Sequence, residues 1–300
     1  MPNSPHDTLV DPYTKSIFST SDSTKPTLTV LSGSEVGRVF ALDEGPSIIG
    51  RSASVAVHIP HESISRQHCE VLVSTDGSAT LRDLGSTNGT RIDASNIADR
   101  HVPLTGGERI RLSKAVTLKF AYQDGLERAA QQDLYHSAVR DPLTGVHNKR
   151  FFLERLTHEV AFANRHSSPL ALLIFDLDHF KRVNDTHGHP TGDAVLIDVA
   201  KRVHNSLRAE DIFARYGGEE FVVLMRGTPE EEAINVAERI RAAVSFQPFR
   251  YESISLKTSV SIGLAMYDAE LSPSASALIA LADARLYTAK SLGRDRVVSQ

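Results

Sequence analysis

The sequence has one cysteine, Cys69, and no tryptophan in 300 residues. A single thiol excludes an intramolecular disulfide and any zinc site built on cysteines. Long apolar runs are also missing: the longest, at 170–175, is strand-sized, far short of the roughly 20 residues a bilayer span needs. The opening residues, MPNSPHDTLV, lack the charged-then-apolar form of a secretory signal. Neither sign of charge dominates. Lys and Arg total 33 against 37 Asp and Glu, a net charge of -4, which excludes a nucleic-acid coat protein with its basic excess. Hydrophobic residues make up 41% and charged residues 23%, ordinary for a globular chain. At a prior of about 150 residues per domain, the length predicts two domains. The expectation is a soluble, cytoplasmic protein with neither DNA nor membrane as partner. One abundance stands out: 13 histidines invite a search for a metal site.

Ser, Thr and Pro crowd residues 1–27, which read as a disordered tail carrying Thr8, Thr14, Thr20, Thr24 and Thr27. Residues 28–120 hold short apolar runs such as LTVLSG, SIIGRS, CEVLVS and VTLKFAY. Turn pairs such as Asn88-Gly89 and Gly106-Gly107 separate them, predicting a β-sandwich. Over 121–140, Leu126, Ala130 and Leu134 recur at i+4 spacing, predicting a connecting helix suited to self-pairing. Residues 141–300 alternate helix and strand. Helices are expected at 150–165, 193–207, 229–246 and 275–291, and strands at 170–175 and 257–265. A hairpin over 211–225 turns at Gly217-Gly218-Glu219-Glu220. The strand at 170–175 is apolar throughout, as a central strand covered on both faces would be. It ends in Asp176-Leu177-Asp178. If it neighbours the hairpin, carboxylates from both converge at one sheet end, an oxygen set suited to Mg²⁺.

The segment RYGGEEF (215–221) resembles the signature of GGDEF-family diguanylate cyclases. The resemblance covers 141–300 through DPLTGVHNKRFF, FDLDHFKRVNDTHGHPTGD, RAEDIFARYGGEEF, SVSIGLA and ADARLYTAKSLGRDRV. It implies a ferredoxin-like α/β domain of the polymerase-palm and nucleotide-cyclase type. Such a domain joins two GTP into cyclic di-GMP and releases two pyrophosphates. Two Mg²⁺ (or Mn²⁺) ions per active site are then expected on Asp176, Glu219, Glu220 and the Leu177 carbonyl. Glu219 also matches the group that helps deprotonate the 3′-hydroxyl. Gly217 and Gly218, lacking a Cβ, are expected to let the backbone approach the triphosphate and adopt positive φ. Lys181, Lys290 and Arg294 match phosphate-neutralising residues; without the resemblance, Lys290 and Arg294 read as a basic pair favouring a helix C-terminus. Asn184 and Asp193 match the guanine-reading pair, whose carboxylate accepts from the base's Watson–Crick edge and rejects ATP. His189, expected in the same loop, either touches substrate or stabilises that loop. Zinc on His179, His187 and His189 is disfavoured because their spacing crosses an expected loop and the family uses Mg²⁺. Arg208 and Asp211 form an RxxD that resembles the family's inhibitory product site, with Arg239 as its secondary arginine. Asp295 departs from the family, which often has Asn there, and is expected to alter a local hydrogen bond. Because each domain holds one GTP, two active sites must face each other in a homodimer, with the 121–140 helix placed to pair the chains.

Three marks lie in the β-region: Gly50-Arg51-Ser52, SRQH (65–68) and STNGT (86–90). They resemble forkhead-associated (FHA) domains over 28–120, which implies an 11-stranded sandwich whose loops bind phosphothreonine. Arg51 and Arg66 are expected to fork onto phosphate, Ser65 and Thr87 to add hydroxyl donors, and Asn88 to hold the peptide backbone. Gly89 allows the turn, and His68 is expected as a buried hydrogen bonder. The bound phosphothreonine comes from the chain's own tail, in cis or across subunits, or from a separate phosphoprotein. Within the tail, Thr14, with Ile17 three residues on, is preferred over Thr8, with Asp11. The whole reads as a product-inhibited diguanylate cyclase under phosphothreonine control. Two other readings stand beside it: a catalytically weak GGDEF domain that senses cyclic di-GMP through Arg208 and Asp211, and a phosphothreonine scaffold.

Overall fold

Short strands punctuated by turns occupy residues 25–123, and longer strands alternating with helices follow. A computed structural model describes residues 24–33, 35–98, 100–252 and 254–300. Thr8, Thr14 and the disorder expected of residues 1–23 lie outside the described residues. The chain divides into two compact units, Met1–His136 and Ser137–Gln300. Among the described residues no helix is long and apolar enough to cross a membrane.

Among its described residues the first unit holds eleven strands in two sheets. One sheet takes β1 (Lys25–Ser32), β2 (Val39–Ala41), β7 (Arg91–Ile92), β8 (Ser95–Asn96), β10 (Arg109–Arg111) and β11 (Thr117–Gln123), in the order β2-β1-β11-β10-β7-β8. The other takes β3 (Gly45–Gly50), β4 (Val57–His58), β5 (Cys69–Val73), β6 (Ala79–Asp83) and β9 (Val102–Leu104), in the order β4-β3-β5-β6-β9. Alternation builds the core. Cys69, Val71 and Val73 of β5 and Ala79 and Leu81 of β6 point inward while the residues between them do not. Burial pushes the Cys69 thiol well up, so the lone cysteine is packing rather than chemistry. The sandwich exceeds its expected bounds at both ends, since β1 begins at Lys25 and β11 runs to Gln123. The connecting helix α1 is correspondingly shorter, Gly125–Val139, with Leu126 and Leu134 exposed.

The second unit follows with β12 (His147–Asn148), α2 (Lys149–His166), β13 (Leu170–Leu177), α3 (Phe180–His187), α4 (His189–His204), β14 (Ile212–Arg215) and β15 (Glu220–Arg226). After these come α5 (Glu230–Ser245), the small hairpin β16 (Phe249–Tyr251) and β17 (Ile254–Leu256), β18 (Val260–Met266), α6 (Ala275–Ser291) and β19 (Val297–Val298). The main sheet runs β12-β14-β15-β13-β18-β19. Its central four strands are antiparallel neighbours in the order of a βαββαβ, ferredoxin-like fold. All eight residues of β13 are buried. Side-chain parity sorts them: Ala171, Leu173, Phe175 and Leu177 pack with α4 and α5, and Leu170, Leu172 and Ile174 with α2 and α6. Asp176 shares the parity of the second set, the side on which α6 lies.

Candidate functional site

The strand end that carries Asp176 is built on aromatic packing. Phe175 stacks on Phe221 at 5.5 Å between ring centroids, and Phe213 lies within 5.6 Å of Phe221. Fixing Phe175 opposite Phe221 sets the next rung, so Asp176 of β13 pairs with Glu220 of β15. The Leu177 N–H donates to the Glu219 carbonyl at 3.4 Å. The sequence-predicted convergence of Asp176, Glu219 and Glu220 is therefore a register effect. On the other side of β13, Gly263 of β18 admits α6 to backbone contact: a Cβ there would stand 2.1 Å from the Ala282 carbonyl oxygen. That close approach brings the end of α6 to the sheet end, where Lys290 Nζ sits 3.1 Å from Asp176 Oδ2.

The electrostatics of this end are out of balance. Burial pushes the Asp176 carboxyl up to about 6; Lys290 pulls it down, and Glu219 and Glu220 push it up again. Glu219 is raised too, by burial first and by Glu220, against the pull of Lys290. Among the described residues no three His, Cys, Asp or Glu side chains are gathered into a ready metal cluster. The donor set of Asp176, Glu219, Glu220 and the Leu177 carbonyl is nevertheless all oxygen and mutually repelling, which fits a hard divalent cation.

Several expected placements are corrected. Neither Gly217 nor Gly218 has a left-handed φ. The turn closes instead through Tyr216 N–H donating to the Glu220 carbonyl at 2.8 Å. Gly217 leaves room for the Glu220 side chain, whose Oε2 a Cβ would meet at 2.6 Å and push aside, while Gly218 faces open space. Arg215 braces the turn, donating to the Gly218 carbonyl at 2.6 Å and pairing with Asp141 at 3.1 Å. Asn184, His189 and Asp193 do not share a loop. Asn184 lies in α3, His189 opens α4 and Asp193 lies within α4, with the helices breaking at Gly188 (φ +83°). The expected helix at 193–207 thus begins at His189 and ends at His204. Helix α3 escaped the sequence reading because only Phe180 of its eight residues is buried, which leaves no apolar period to see. Lys181 and Arg294 are exposed, and neither shares the Lys290–Asp176 pair.

Asn184 Oδ1 is buried and has no hydrogen-bond partner. Gly192 makes its position possible: a Cβ at that residue would fall 1.9 Å from the oxygen. An orphaned buried acceptor costs about 1–3 kcal/mol, so this one points to a ligand donor. Asp193 is exposed on the next residue of the same helix.

Asp178, at the end of the same strand run, is not part of the carboxylate group. It is buried, accepting from Ser259 Oγ at 2.6 Å, Ser261 Oγ at 2.7 Å and the Asp295 N–H at 3.1 Å. Asp295 itself accepts from Arg241 Nη1 and Ser245 Oγ, both at 2.9 Å. At the RxxD, the Arg208 N–H donates to Asp211 Oδ2 at 2.9 Å, and the Arg208 guanidinium pairs with Glu232 of α5. Arg239 donates to the Ser206 carbonyl at 2.7 Å. Burial raises the Asp211 carboxyl against the pull of Arg208 and Arg239.

In the first unit, Arg51 donates through Nε to the Ile64 carbonyl at 3.0 Å, and the Arg66 side chain is exposed. Gly50 is required by contact, since a Cβ would lie 2.2 Å from the Arg66 carbonyl oxygen. The Thr87 N–H donates to Ser65 Oγ at 3.1 Å, which joins the two loops. Asn88 Nδ2 donates to the Ser63 carbonyl at 2.8 Å, so here it holds the chain's own backbone. His68 is fully buried and accepts from the Ser65 N–H at 3.2 Å. The residue missed by sequence reasoning is Asp83. It is buried and accepts from Gly85 N–H, Ser86 N–H, Ser86 Oγ and Thr90 Oγ1, fixing the whole 85–90 loop from beneath.

Both parts of the chain match known families. Residues 138–296 match the family model "Diguanylate cyclase, GGDEF domain", and residues 47–113 match the FHA domain. The chain is 41% identical over 166 residues to diguanylate cyclase DgcP of Pseudomonas aeruginosa. It is 36% identical over 218 residues to diguanylate cyclase DosC of Escherichia coli. The matches cover 55% and 71% of this chain but only 24% and 45% of those relatives, so it spans less than half their length. Among solved structures, the coiled coil and GGDEF domain of DgcB from Caulobacter crescentus in complex with c-di-GMP aligns with TM-score 0.55 and 30% identity. That alignment covers 58% of this chain and 92% of that one. Diguanylate cyclase SiaD in complex with its activator SiaC, from Pseudomonas aeruginosa, aligns with TM-score 0.53 and 37% identity, covering 58% and 66%.

Proposed function

The chain belongs to the GGDEF diguanylate cyclase family and carries an FHA domain ahead of the GGDEF domain, and on that premise we propose that it condenses two GTP into cyclic di-GMP and two pyrophosphates. The observation that carries the reading is the carboxylate group of Asp176, Glu219 and Glu220 at one strand end, with Lys290 against it. Asp176, Glu219, Glu220 and the Leu177 carbonyl would hold the divalent ions, two per site. Bound there, the metal supplies activation of the 3′-hydroxyl and charge neutralisation on the departing pyrophosphate. Glu219, whose carboxyl is raised, is the group placed to take the hydroxyl proton. Lys181, Lys290 and Arg294 neutralise the triphosphate, Lys290 exchanging Asp176 for phosphate. Gly217 and Gly218 keep the turn thin where the phosphates lie. Asn184, with its free acceptor, and Asp193 read guanine, and His189 lines the same helix start. The test is incubation with GTP and Mg²⁺ followed by mass spectrometry. The parent yields cyclic di-GMP and Glu219→Ala does not; no product from the parent would favour a receptor function.

Product inhibition is proposed at Arg208, Asp211 and Arg239, since Arg208 and Arg239 act on Asp211. Added cyclic di-GMP then slows the parent but not Arg208→Ala. For the first unit we propose phosphothreonine binding by Arg51, Ser65, Arg66, Thr87 and Asn88, supported by the Thr87–Ser65 and Asn88–Ser63 bonds that preset the loops. The occupant is the chain's own Thr14 or Thr8, or another phosphoprotein, and catalysis needs a homodimer. Truncation of residues 1–25 with unchanged phosphate dependence of activity would rule out the tail.

A further inference from the structure

Just past α6, three successive residues stand in the left-handed region: Gly293 (φ 112°), Arg294 (φ 65°) and Asp295 (φ 44°). Glycine adopts this backbone freely, whereas the other two do so only when their surroundings impose it. The surroundings here act from three sides. From α6, the Ala289 carbonyl accepts from the Arg294 N–H at 3.0 Å. From the sheet, buried Asp178 accepts from the Asp295 N–H at 3.1 Å. From the last turns of α5, Arg241 Nη1 and Ser245 Oγ each donate to Asp295 Oδ1 at 2.9 Å. Arg241 is held in turn by Glu238 Oε2 at 2.8 Å. The first two restraints act on backbone N–H groups, which any residue supplies. The third is made to the Asp295 side chain, where an amide could accept the hydrogen bonds but only a carboxylate forms the ion pair with Arg241.

We infer that Arg241 is a positioning residue for triphosphate binding: through Asp295 it holds the Gly293–Asp295 turn in the form that presents Arg294. The inference rests on the reading of Arg294 as a phosphate ligand. Arg241 itself touches no substrate in this scheme. Its part is to limit where the exposed Arg294 side chain can start from, so its loss weakens affinity without removing a reacting group.

The test uses the full chain and α,β-methylene GTP, which binds in the presence of Mg²⁺ but cannot release pyrophosphate, with affinity read by calorimetry. Exposed ion pairs of this kind are worth about two- to fivefold in an equilibrium constant, so Arg241→Ala should weaken binding by about that factor. Asp295→Ala should do the same, and the double variant no more than either. In turnover the change should fall on KM, with kcat within about twofold. The decisive comparison is made in an Arg294→Ala background, where Arg241→Ala should have no further effect on affinity. An additive loss in that background, or unchanged affinity in Arg241→Ala, overturns the inference. Ser245→Ala removes one bond to the same oxygen and serves if Arg241→Ala fails to fold; unchanged affinity there would overturn the inference as well. If the parent does not bind the analogue, the reading of the site fails instead, which separates the two claims.

Discussion

The two units hold their charged side chains in opposite ways. In the first, the basic groups Arg51 and Arg66 stand exposed on loops, and the buried charge of Asp83, beneath the 85–90 loop, is fully provided with donors. Four hydrogen bonds keep the Asp83 carboxyl below its ordinary value although burial alone would raise it. In the second, Asp176 is buried and Glu219 and Glu220 are half-buried where β13 meets β15, and burial with mutual repulsion lifts Asp176 and Glu219. The satisfied buried charge fixes the 85–90 loop, as suits the anion site proposed there. Crowded carboxylates with one Lys290 between them keep an excess of negative charge that a cation relieves, and perturbed groups in such a setting are candidates for chemistry. The first arrangement suits the binding surface proposed for it, and the second the reaction centre proposed there.

The comparison can be broken most severely at the reaction centre. Asp176→Asn should reduce cyclic di-GMP formation by at least about 10²-fold, measured by chromatography of the products. It should leave phosphothreonine-peptide affinity unchanged. Next in size is Phe221→Ala. It opens the stack with Phe175 and Phe213 and should destabilise the second unit by about 3–5 kcal/mol. Calorimetry should show the second unit's transition moving to lower temperature while the first unit's stays. A single shared shift would mean that the units do not melt independently. Arg66→Ala should weaken binding of a phosphothreonine peptide by about tenfold, the worth of one charge-assisted hydrogen bond of about 1.5 kcal/mol. Cyclase turnover in the absence of peptide should be unchanged.

The smallest effect sharpens the contrast through pH. Asp83 is depressed in the folded chain, so its contribution to stability is present above the ordinary carboxylate pKa of about 3.9. That contribution is lost as the pH falls from there through the lower folded value. Melting of the first unit should therefore fall steeply on acidification below about pH 4 in the parent and less steeply in Asp83→Asn. At neutral pH Asp83→Asn should cost about 1–3 kcal/mol for the donors it leaves badly matched.

What was legible in the sequence follows what has a period or a signature. The strand at 170–175, the hairpin through Gly217-Gly218 and the sandwich strands all announce themselves by apolar pattern and turn residues, and the structure places them in register. Helix α3 did not, because a polar helix with one buried residue has no stripe to read. Parity explains the site. Knowing that Asp176 follows Ile174 by two fixes the face it shares with α6, but only the Gly263 contact shows that α6 comes near enough for Lys290 to reach it. Asp178 looked like a partner of Asp176 on spacing alone. Its burial against Ser259 and Ser261, residues some eighty positions away in sequence, could not be read from its neighbours. For Gly217 the expected left-handed φ does not hold, and the missing Cβ leaves room for the Glu220 side chain.

The central claim is that the unbalanced carboxylates, together with Asn184 and Asp193, form a guanine-selective cyclase site. The most direct test is a paired time course of the parent chain with GTP and with ATP in Mg²⁺, following pyrophosphate and cyclic dinucleotide together. The account predicts two pyrophosphates for each cyclic di-GMP from GTP, and neither product from ATP. Pyrophosphate without the cyclic dinucleotide, or equal consumption of ATP, would contradict it.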